Sequence, residues 1–354
     1  MDNDHDEELS SILARLAPGT VIRDGIERVI GAGRGALIVL GYNDDIEQMI
    51  SGGFVIDTPA TEQRIAELAK MDGALILDDA GARIVRANVH LVPESSITTS
   101  ETGTRHRSAE RAAKQANAPV ISVSESMSRV TLYWGERRRV VEPVSNLLFR
   151  ANQALSTLER YRARLDEVTN NLSTREVEDA VVLRDVILAL QRSEMVRRIA
   201  QEIQYQIVEL GTEGRLIKLQ LDELMSSVED ERQLIVQDYL GDNRRSIDSV
   251  GDQLDGYTTD ELLTADNVAA ALAYDVEFID RPVQPRGYRL LAQVPRLPSH
   301  IISRLVKTFG SLGAIIESSV DELVAVEGVG ETRARRIRDS LHRRAEVTLV
   351  NHYE

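Results

Sequence analysis

The residues able to do chemistry are gathered between Met71 and Glu125, and their types suit a bound polyphosphate. Asp72-Gly73-Ala74 stands just before the apolar run Leu75-Ile76-Leu77, which puts a hard carboxylate at the foot of a predicted strand. Such a donor can hold a divalent cation together with phosphate oxygens, and the small neighbours leave room for a nucleotide. The same tripeptide also serves as an ordinary turn. About thirty residues later, Gly103-Thr104-Arg105-His106-Arg107-Ser108 delivers two arginines and a histidine to a predicted helix start. Thr104 is placed to cap that helix, whose free N–H groups form an anion site. Arg105 and Arg107 can grip phosphate oxygens in a bidentate way that lysine cannot, and His106 can donate to a phosphoryl oxygen or assist a leaving group. A solvated basic helix start is the plainer alternative for these residues. Ser124 can bond a phosphate or a base, or simply end a strand; Leu91 is either an apolar wall for a purine or core.

Other chemistries are poorly served. No GxxxxGK[ST] loop is present, and Gly31-Ala32-Gly33-Arg34-Gly35 precedes a strand instead of following one, so it is not a dinucleotide fingerprint. Six histidines are scattered along the 354 residues, and there are no cysteines, which removes thiolate zinc sites, thiol nucleophiles and disulfides. The acidic start Met1-Asp2-Asn3-Asp4 is neither a signal nor a transit peptide, and no apolar run approaches the ~20 residues that cross a bilayer. A cytoplasmic protein with no membrane association is expected.

The elements that must position these residues fall into three segments: 1–142, 143–285 and 286–354. In the first, Leu9, Ile12, Leu13 and Leu16 have helical spacing, and Thr20 to Ile30 reads as a second helix. Ala36 to Gly41 is a continuous apolar run, expected of a strand covered on both faces. Phe54–Asp57, Ala74–Leu77, Ala82–Val92, Val120–Val123, Val130–Trp134 and Arg138–Val141 read as further strands. Pro59 to Ala69, with proline near its first turn, and Ser108 to Ala116 read as helices. An α/β domain with a central mixed sheet follows. Between Pro143 and Pro282 there is no proline, so the middle segment is an all-α spine. The pattern predicts a helix 144–169 broken at Asn170-Asn171, and a capping box at Ser173 to Glu176 opening a helix to Leu210. A third helix, 213–240, then precedes a loop or hinge over 241–258.

The net charge is −15, but residues 286–354 alone carry +3, which sets this segment apart from the acidic body. Its short helices frame Gly328-Val329-Gly330, the hairpin of an all-α helix-hairpin-helix unit. Glycines let a backbone approach a DNA phosphate, the next helix start adds its dipole, and Arg333, Arg335 and Arg336 reach neighbouring phosphates. Nothing there reads base edges, so binding should be sequence-independent and salt-sensitive. A turn between packing helices is the plainer alternative. Pro295 to Ser299 lacks the glycines and reads as a weaker pseudo-repeat.

Asp72-Gly73-Ala74, Gly103 to Arg111 and Ile121-Ser122-Val123-Ser124 resemble the signature blocks of the diadenylate cyclase family. The order of cyclase domain, helical spine and helix-hairpin-helix is similar to that of its DNA-binding members, over essentially the whole chain. The resemblance implies condensation of two ATP into cyclic di-AMP and two pyrophosphates with Mg²⁺ or Mn²⁺. It places Asp72 on the metal, and Gly73, Ala74, Leu91, Thr104 and Ser124 around the nucleotide. Arg105, His106, Arg107 and Ser108 fall on the phosphates, with Asp72, Arg105, His106 and Arg107 catalytic. It further implies octamers of head-to-head dimers, cyclase activity lowered by branched or junction DNA, and association with the nucleoid when DNA is bound.

Geometry supports the dimer separately, because a symmetric cyclic product needs each 3′-hydroxyl in line with the other nucleotide's α-phosphorus. Two rival readings remain. One is a non-catalytic DNA-binding scaffold that senses ATP, which the intact Asp72 and Arg105–Arg107 set disfavours. The other is a nuclease, which needs a carboxylate cluster that Asp72, Asp78 and Asp79 make poorly across a turn.

Overall fold

The computed structural model describes residues 2–125, 127, 129–241, 245–275 and 279–351. The chain forms two compact units, residues 1–153 with 203–219 and residues 154–202 with 220–354.

Unit one begins with α1 (Asp2–Arg15), α2 (Val21–Gly31), β1 (Ala36–Leu40), α3 (Asp44–Met49), β2 (Ile50–Ser51) and β3 (Phe54–Pro59). It continues with α4 (Glu62–Leu68), β4 (Ala74–Leu77), β5 (Arg83–Leu91), α5 (Thr104–Ala116), β6 (Val120–Val123), β7 (Val130–Trp134) and β8 (Arg137–Val141). The eight strands make one mixed sheet of order β2-β5-β4-β1-β6-β7-β8, with β3 also paired to β5. β1 and β4 are parallel; their neighbours β5 and β6 run antiparallel to them. All five residues of β1 are buried, and they alternate between two cores. Ile38 and Leu40 pack with Ile12, Ile26 and Ile65 from α1, α2 and α4. Leu37 and Val39 pack with Ile46 of α3 and with Ala109, Ala112 and Ala113 of α5, whose small side chains let that helix lie close to the sheet. A strand covered on both faces cannot show alternation, which is why β1 reads as an unbroken apolar run.

The expected helix start at Pro59 is displaced. Pro59 pairs with Arg83 at the end of β3, and Thr61 caps α4 by accepting from the N–H of Arg64.

The helices α6 (Val144–Val177) and α7 (Leu183–Leu210) each contribute residues to both units. The expected break at Asn170-Asn171 does not occur. Both asparagines are exposed, Leu165 and Leu172 stay buried on one face, and that packing outweighs the weak helix propensity of asparagine. Ser173 to Glu176 therefore lie inside α6 and form no capping box. The break comes at Asp179, held in the left-handed conformation (φ 52°), with the Ala180 N–H closing onto the Arg175 carbonyl.

A 3₁₀ turn at Gly211–Gly214 leads into α8 (Arg215–Met225) and α9 (Val228–Tyr239). The predicted third helix is thus split at Ser227, which is also left-handed (φ 66°). The stretch expected to be a loop contains α10 (Ile247–Gly256), capped by Ser246; residues 242–244 lie outside those described. Then follow α11 (Thr259–Leu263) and α12 (Ala265–Ala271). The C-terminal helices are α13 (Tyr288–Ala292), α14 (Ser299–Phe309), α15 (Leu312–Glu317), α16 (Val320–Val324) and α17 (Glu331–Asn351). They enclose their own core around Leu305, Leu323, Ala334 and Ile337.

Within unit two, the start of α13 is bound to α6 and α9 by buried polar groups. Arg289, 1% exposed, donates to Glu176 Oε2 at 2.6 Å, to Glu231 Oε1 at 2.7 Å and to Ser173 Oγ at 2.8 Å. Asp238 accepts from the backbone N–H groups of Gly287, Tyr288 and Arg289 at 2.7, 2.6 and 2.9 Å. Buried charges are tolerable only when paired in this way.

Candidate functional site

One end of the sheet in unit one gathers the amino ends of β1 and β4, the carboxyl ends of β5 and β6, and the amino end of α5. A cavity of about 720 Å³ opens there. Its walls include Asp72, Gly73, Ala74, Leu91, Thr104, Arg105, His106, Ser108 and Ser124, so nine of the ten residues proposed for the nucleotide or metal converge on one space. The tenth, Arg107, is exposed and is not a wall of the cavity.

Thr104 does not cap α5. Gly103 occupies the cap position with extended backbone and no side-chain bond, which leaves the N–H groups of the first turn without a side-chain acceptor. An uncapped helix start of this kind is an anion site, since the orphan donors and the dipole both favour negative charge. The guanidinium of Arg105 lies 3.7 Å from the carboxylate of Asp72, whose side chain is fully exposed at the mouth. Among the described residues no three His, Asp or Glu side chains cluster as a metal cage. Asp78 instead closes the β4–β5 turn through the N–H groups of Ala82 and Arg83.

Gly73 is small for a structural reason as well. A methyl group there would meet the carbonyl carbon of Asn88 at 2.5 Å, because β5 bulges toward β4 with Asn88 in the left-handed conformation (φ 57°). Sequence reasoning missed Gly35 just before β1, Ala36 and Leu37 of β1, Met71, Val89, His90 and Glu125, all of which line the cavity. The glycine-rich stretch before β1 was the available signal. Its last glycine, Gly35, lies under the Arg105 guanidinium.

His106 lines the cavity and reaches away from it as well. Its Nδ1 is 2.9 Å from the hydroxyl of Tyr133, which donates to Glu101 Oε1 at 2.8 Å. Burial lowers the imidazole pKa, opposed by Glu101 and reinforced by Arg138, Arg105 and Arg129. The ring is therefore neutral near pH 7.

In the C-terminal helices the two hairpins have one geometry. Gly328 has φ 87° between α16 and α17, and Arg296 has φ 58° between α13 and α14. The Val329 N–H bonds the Val326 carbonyl, and the Leu297 N–H bonds the Val294 carbonyl. Arg333 folds back onto the Gly328 carbonyl, Arg335 pairs with Glu331, and Arg336 reaches the Pro295 carbonyl of the first hairpin at 3.5 Å. Gly330 opens α17 by accepting from Arg333 and Ala334. No helix among the described residues is long and apolar enough to cross a membrane.

Comparison with known proteins matches residues 23–138 to the DisA bacterial checkpoint controller nucleotide-binding family and residues 141–278 to the DisA bacterial checkpoint controller linker region. Residues 288–343 match the SAM-like helix-hairpin-helix tandem family. The DNA integrity scanning protein DisA of Acidothermus cellulolyticus is 54% identical, over 99% of this chain and 97% of that protein. Its counterparts in Kineococcus radiotolerans and Streptomyces griseus are 51% identical (99% and 99% covered) and 52% identical (96% and 93% covered).

Proposed function

We propose, from the plain fact that this chain belongs to the DisA family, that it is a diadenylate cyclase. It would condense two ATP into cyclic di-AMP and release two pyrophosphates. The observation that carries this reading is the single cavity in which an uncapped helix start, Arg105 and the exposed carboxylate of Asp72 meet an apolar wall at Leu91. Phosphates fit the α5 amino end and Arg105; the purine fits beside Leu91, Gly73 and Ala74. One cavity holds one nucleotide, so two copies must face each other before either 3′-hydroxyl can reach an α-phosphorus. Asp72 and Arg107, both exposed, suit such a closure because each can act on the nucleotide that the facing copy presents. Head-to-head dimers within an octamer meet this requirement.

The protein's part is positioning and charge stabilisation, as in other phosphoryl-type transfers. Asp72 alone, with the phosphate oxygens of the nucleotide, is the donor set that Mg²⁺ or Mn²⁺ accepts when it arrives with its substrate. Bound there, the cation would withdraw charge from the phosphates.

The paired hairpins of the C-terminal helices support binding of DNA through its backbone, independent of sequence, with branched or junction DNA as the ligand. Occupancy would be felt at the cyclase through α6 and α7, which contribute to both units.

The test is incubation of the pure protein with ATP and Mg²⁺ or Mn²⁺, with products identified by mass. Cyclic di-AMP is expected; ATP bound and returned unchanged rejects the reading. Junction DNA should lower the rate, and equal rates with and without it would refute the coupling. Arg335→Glu with Arg336→Glu should weaken DNA binding and spare basal synthesis.

A further inference from the structure

His106 is tied by a one-way chain of protons that determines what it can do in the cavity. The Tyr133 hydroxyl has one proton, and Glu101 Oε1 takes it at 2.8 Å. Glu101 is held in turn by Arg138 Nε at 3.0 Å, and its side chain is only 15% exposed. Burial followed by the hydrogen bond to Glu101 raises the Tyr133 pKa, so the phenol keeps its proton. With that proton committed, the phenol oxygen can only accept from His106, so Nδ1 at 2.9 Å carries the imidazole's hydrogen. The rings meet edge to face, 66° apart, and Tyr133 is wholly buried and is not a wall of the cavity. The opposite ring edge, Cδ2 and Nε2, is turned away from Tyr133, and among the described residues Nε2 has no protein hydrogen-bond partner.

We propose that Tyr133 and Glu101 are positioning residues of the cyclase reaction, fixing His106 in the Nδ1–H form so that Nε2 presents a lone pair to the nucleotide. This rests on the cyclase reading above. His106 is then a proton acceptor and not a donor to phosphate. As the ribose 3′ oxygen forms its bond to the α-phosphorus, the hydroxyl proton passes to Nε2. The bond from the α-phosphorus to the bridging oxygen breaks, and pyrophosphate leaves with the electron pair. The imidazolium that results is balanced through Tyr133 by the carboxylate of Glu101, whose charge opposes those of Arg138, Arg105 and Arg129 at the ring. The identity of the ring nitrogen that faces a substrate is commonly set this way, by the bond the other nitrogen makes.

The test compares the full-length protein with Tyr133→Phe, Glu101→Leu and Glu101→Gln. Diethyl pyrocarbonate attacks an unprotonated imidazole nitrogen, and its rate at His106 is read by peptide mass near pH 7. Tyr133→Phe removes the acceptor, and Glu101→Leu frees the phenol proton to point at Nδ1; in both the hydrogen moves to Nε2. Modification of His106 should slow by about fivefold or more in these two, and Glu101→Gln, which keeps an acceptor, should recover most of the rate. In turnover, the first two should lose about tenfold or more in kcat with KM for ATP within about threefold. Equal modification rates in all four proteins overturn the proposal, as does an equal loss in Glu101→Gln and Glu101→Leu. Absence of cyclic product from the wild type rejects the cyclase reading alone, because the modification rates need no turnover and still decide the tautomer.

Discussion

The guanidinium of Arg105 lies over the α-carbon of Gly35, so close that a methyl group on residue 35 would sit 2.2 Å from Nη1 and 2.9 Å from the carbonyl oxygen of Val123. The glycine before β1 is thus the floor on which the phosphate-gripping arginine rests. Gly35 has no positive φ, so alanine adds no backbone torsional strain; its methyl meets the movable Arg105 guanidinium and, less closely, the Val123 carbonyl oxygen. Gly35→Ala should keep the fold, with a thermal midpoint within a few degrees, and displace Arg105. A shift on the order of 1 Å at a positioning group can cost about a hundredfold in rate. Steady-state kinetics should show at least a tenfold fall in kcat/KM on that scale; unchanged kinetics would remove Arg105 from the site.

The second prediction concerns Asp72. Its carboxylate is fully exposed and loosely placed beside Arg105, so its loss should not disturb folding. Asp72→Asn should retain assembly and bind ATP, yet make no cyclic product. Chelation of divalent cations should silence the wild type and be reversed by added Mg²⁺ or Mn²⁺. Turnover by Asp72→Asn at the wild-type rate would take the cation assignment away.

Much of the first unit was legible because its signals are local. β1, β4, β6 and β7 are apolar runs bounded by turns, and the start of α5 announces itself by Gly103 and its arginines. The parts that could not be read depend on which side chains share a face after folding. Tyr133 meets His106 only because β7 pairs with β6 in the register that sets Tyr133 opposite Val120, beside α5. Gly73 yields to a bulge in β5 that no residue of its own stretch encodes. Asn170-Asn171 reads as a break because asparagine favours turns, yet Leu172 and Glu176 beyond it are needed in the buried contacts of α6. The Arg296 hairpin lacks glycine and so lacks the usual mark of a left-handed residue.

A third prediction turns on Asp238. Burial first, and then the neighbouring Glu176 carboxylate, push its pKa up to about 7, against the opposing pull of the three backbone N–H donors. The unfolded chain releases that proton near its ordinary value of 3.8, so between about 4 and 7 the folded chain holds a proton that the unfolded chain does not. Stability from this group is therefore full below about 4 and is lost as pH rises through 7. Asp238→Asn lacks the titration. Relative to that variant, the wild type should gain about 1.5 kcal/mol between pH 7 and pH 5.5. Denaturant unfolding at the two pH values measures it, and a difference that does not move with pH sinks the assignment.

The last prediction separates stability from DNA binding at one residue. Arg296 occupies the place that Gly328 fills in the second hairpin, at φ 58° against 87°. A non-glycine residue in that conformation costs about 1 kcal/mol, which glycine would largely return. Arginine is nonetheless there, exposed at the tip of the first hairpin, where its charge can meet a phosphate. Arg296→Gly should therefore raise the unfolding midpoint and at the same time weaken DNA binding uniformly across sequences. It should also lower the slope of log K against log salt by about 1, the value for one lost phosphate contact. Unfolding curves and a salt series on the same preparation measure both. A variant that gains stability and keeps its salt slope would show that the first hairpin leaves DNA to the second, and one that loses stability would show that the arginine is needed to shape the turn.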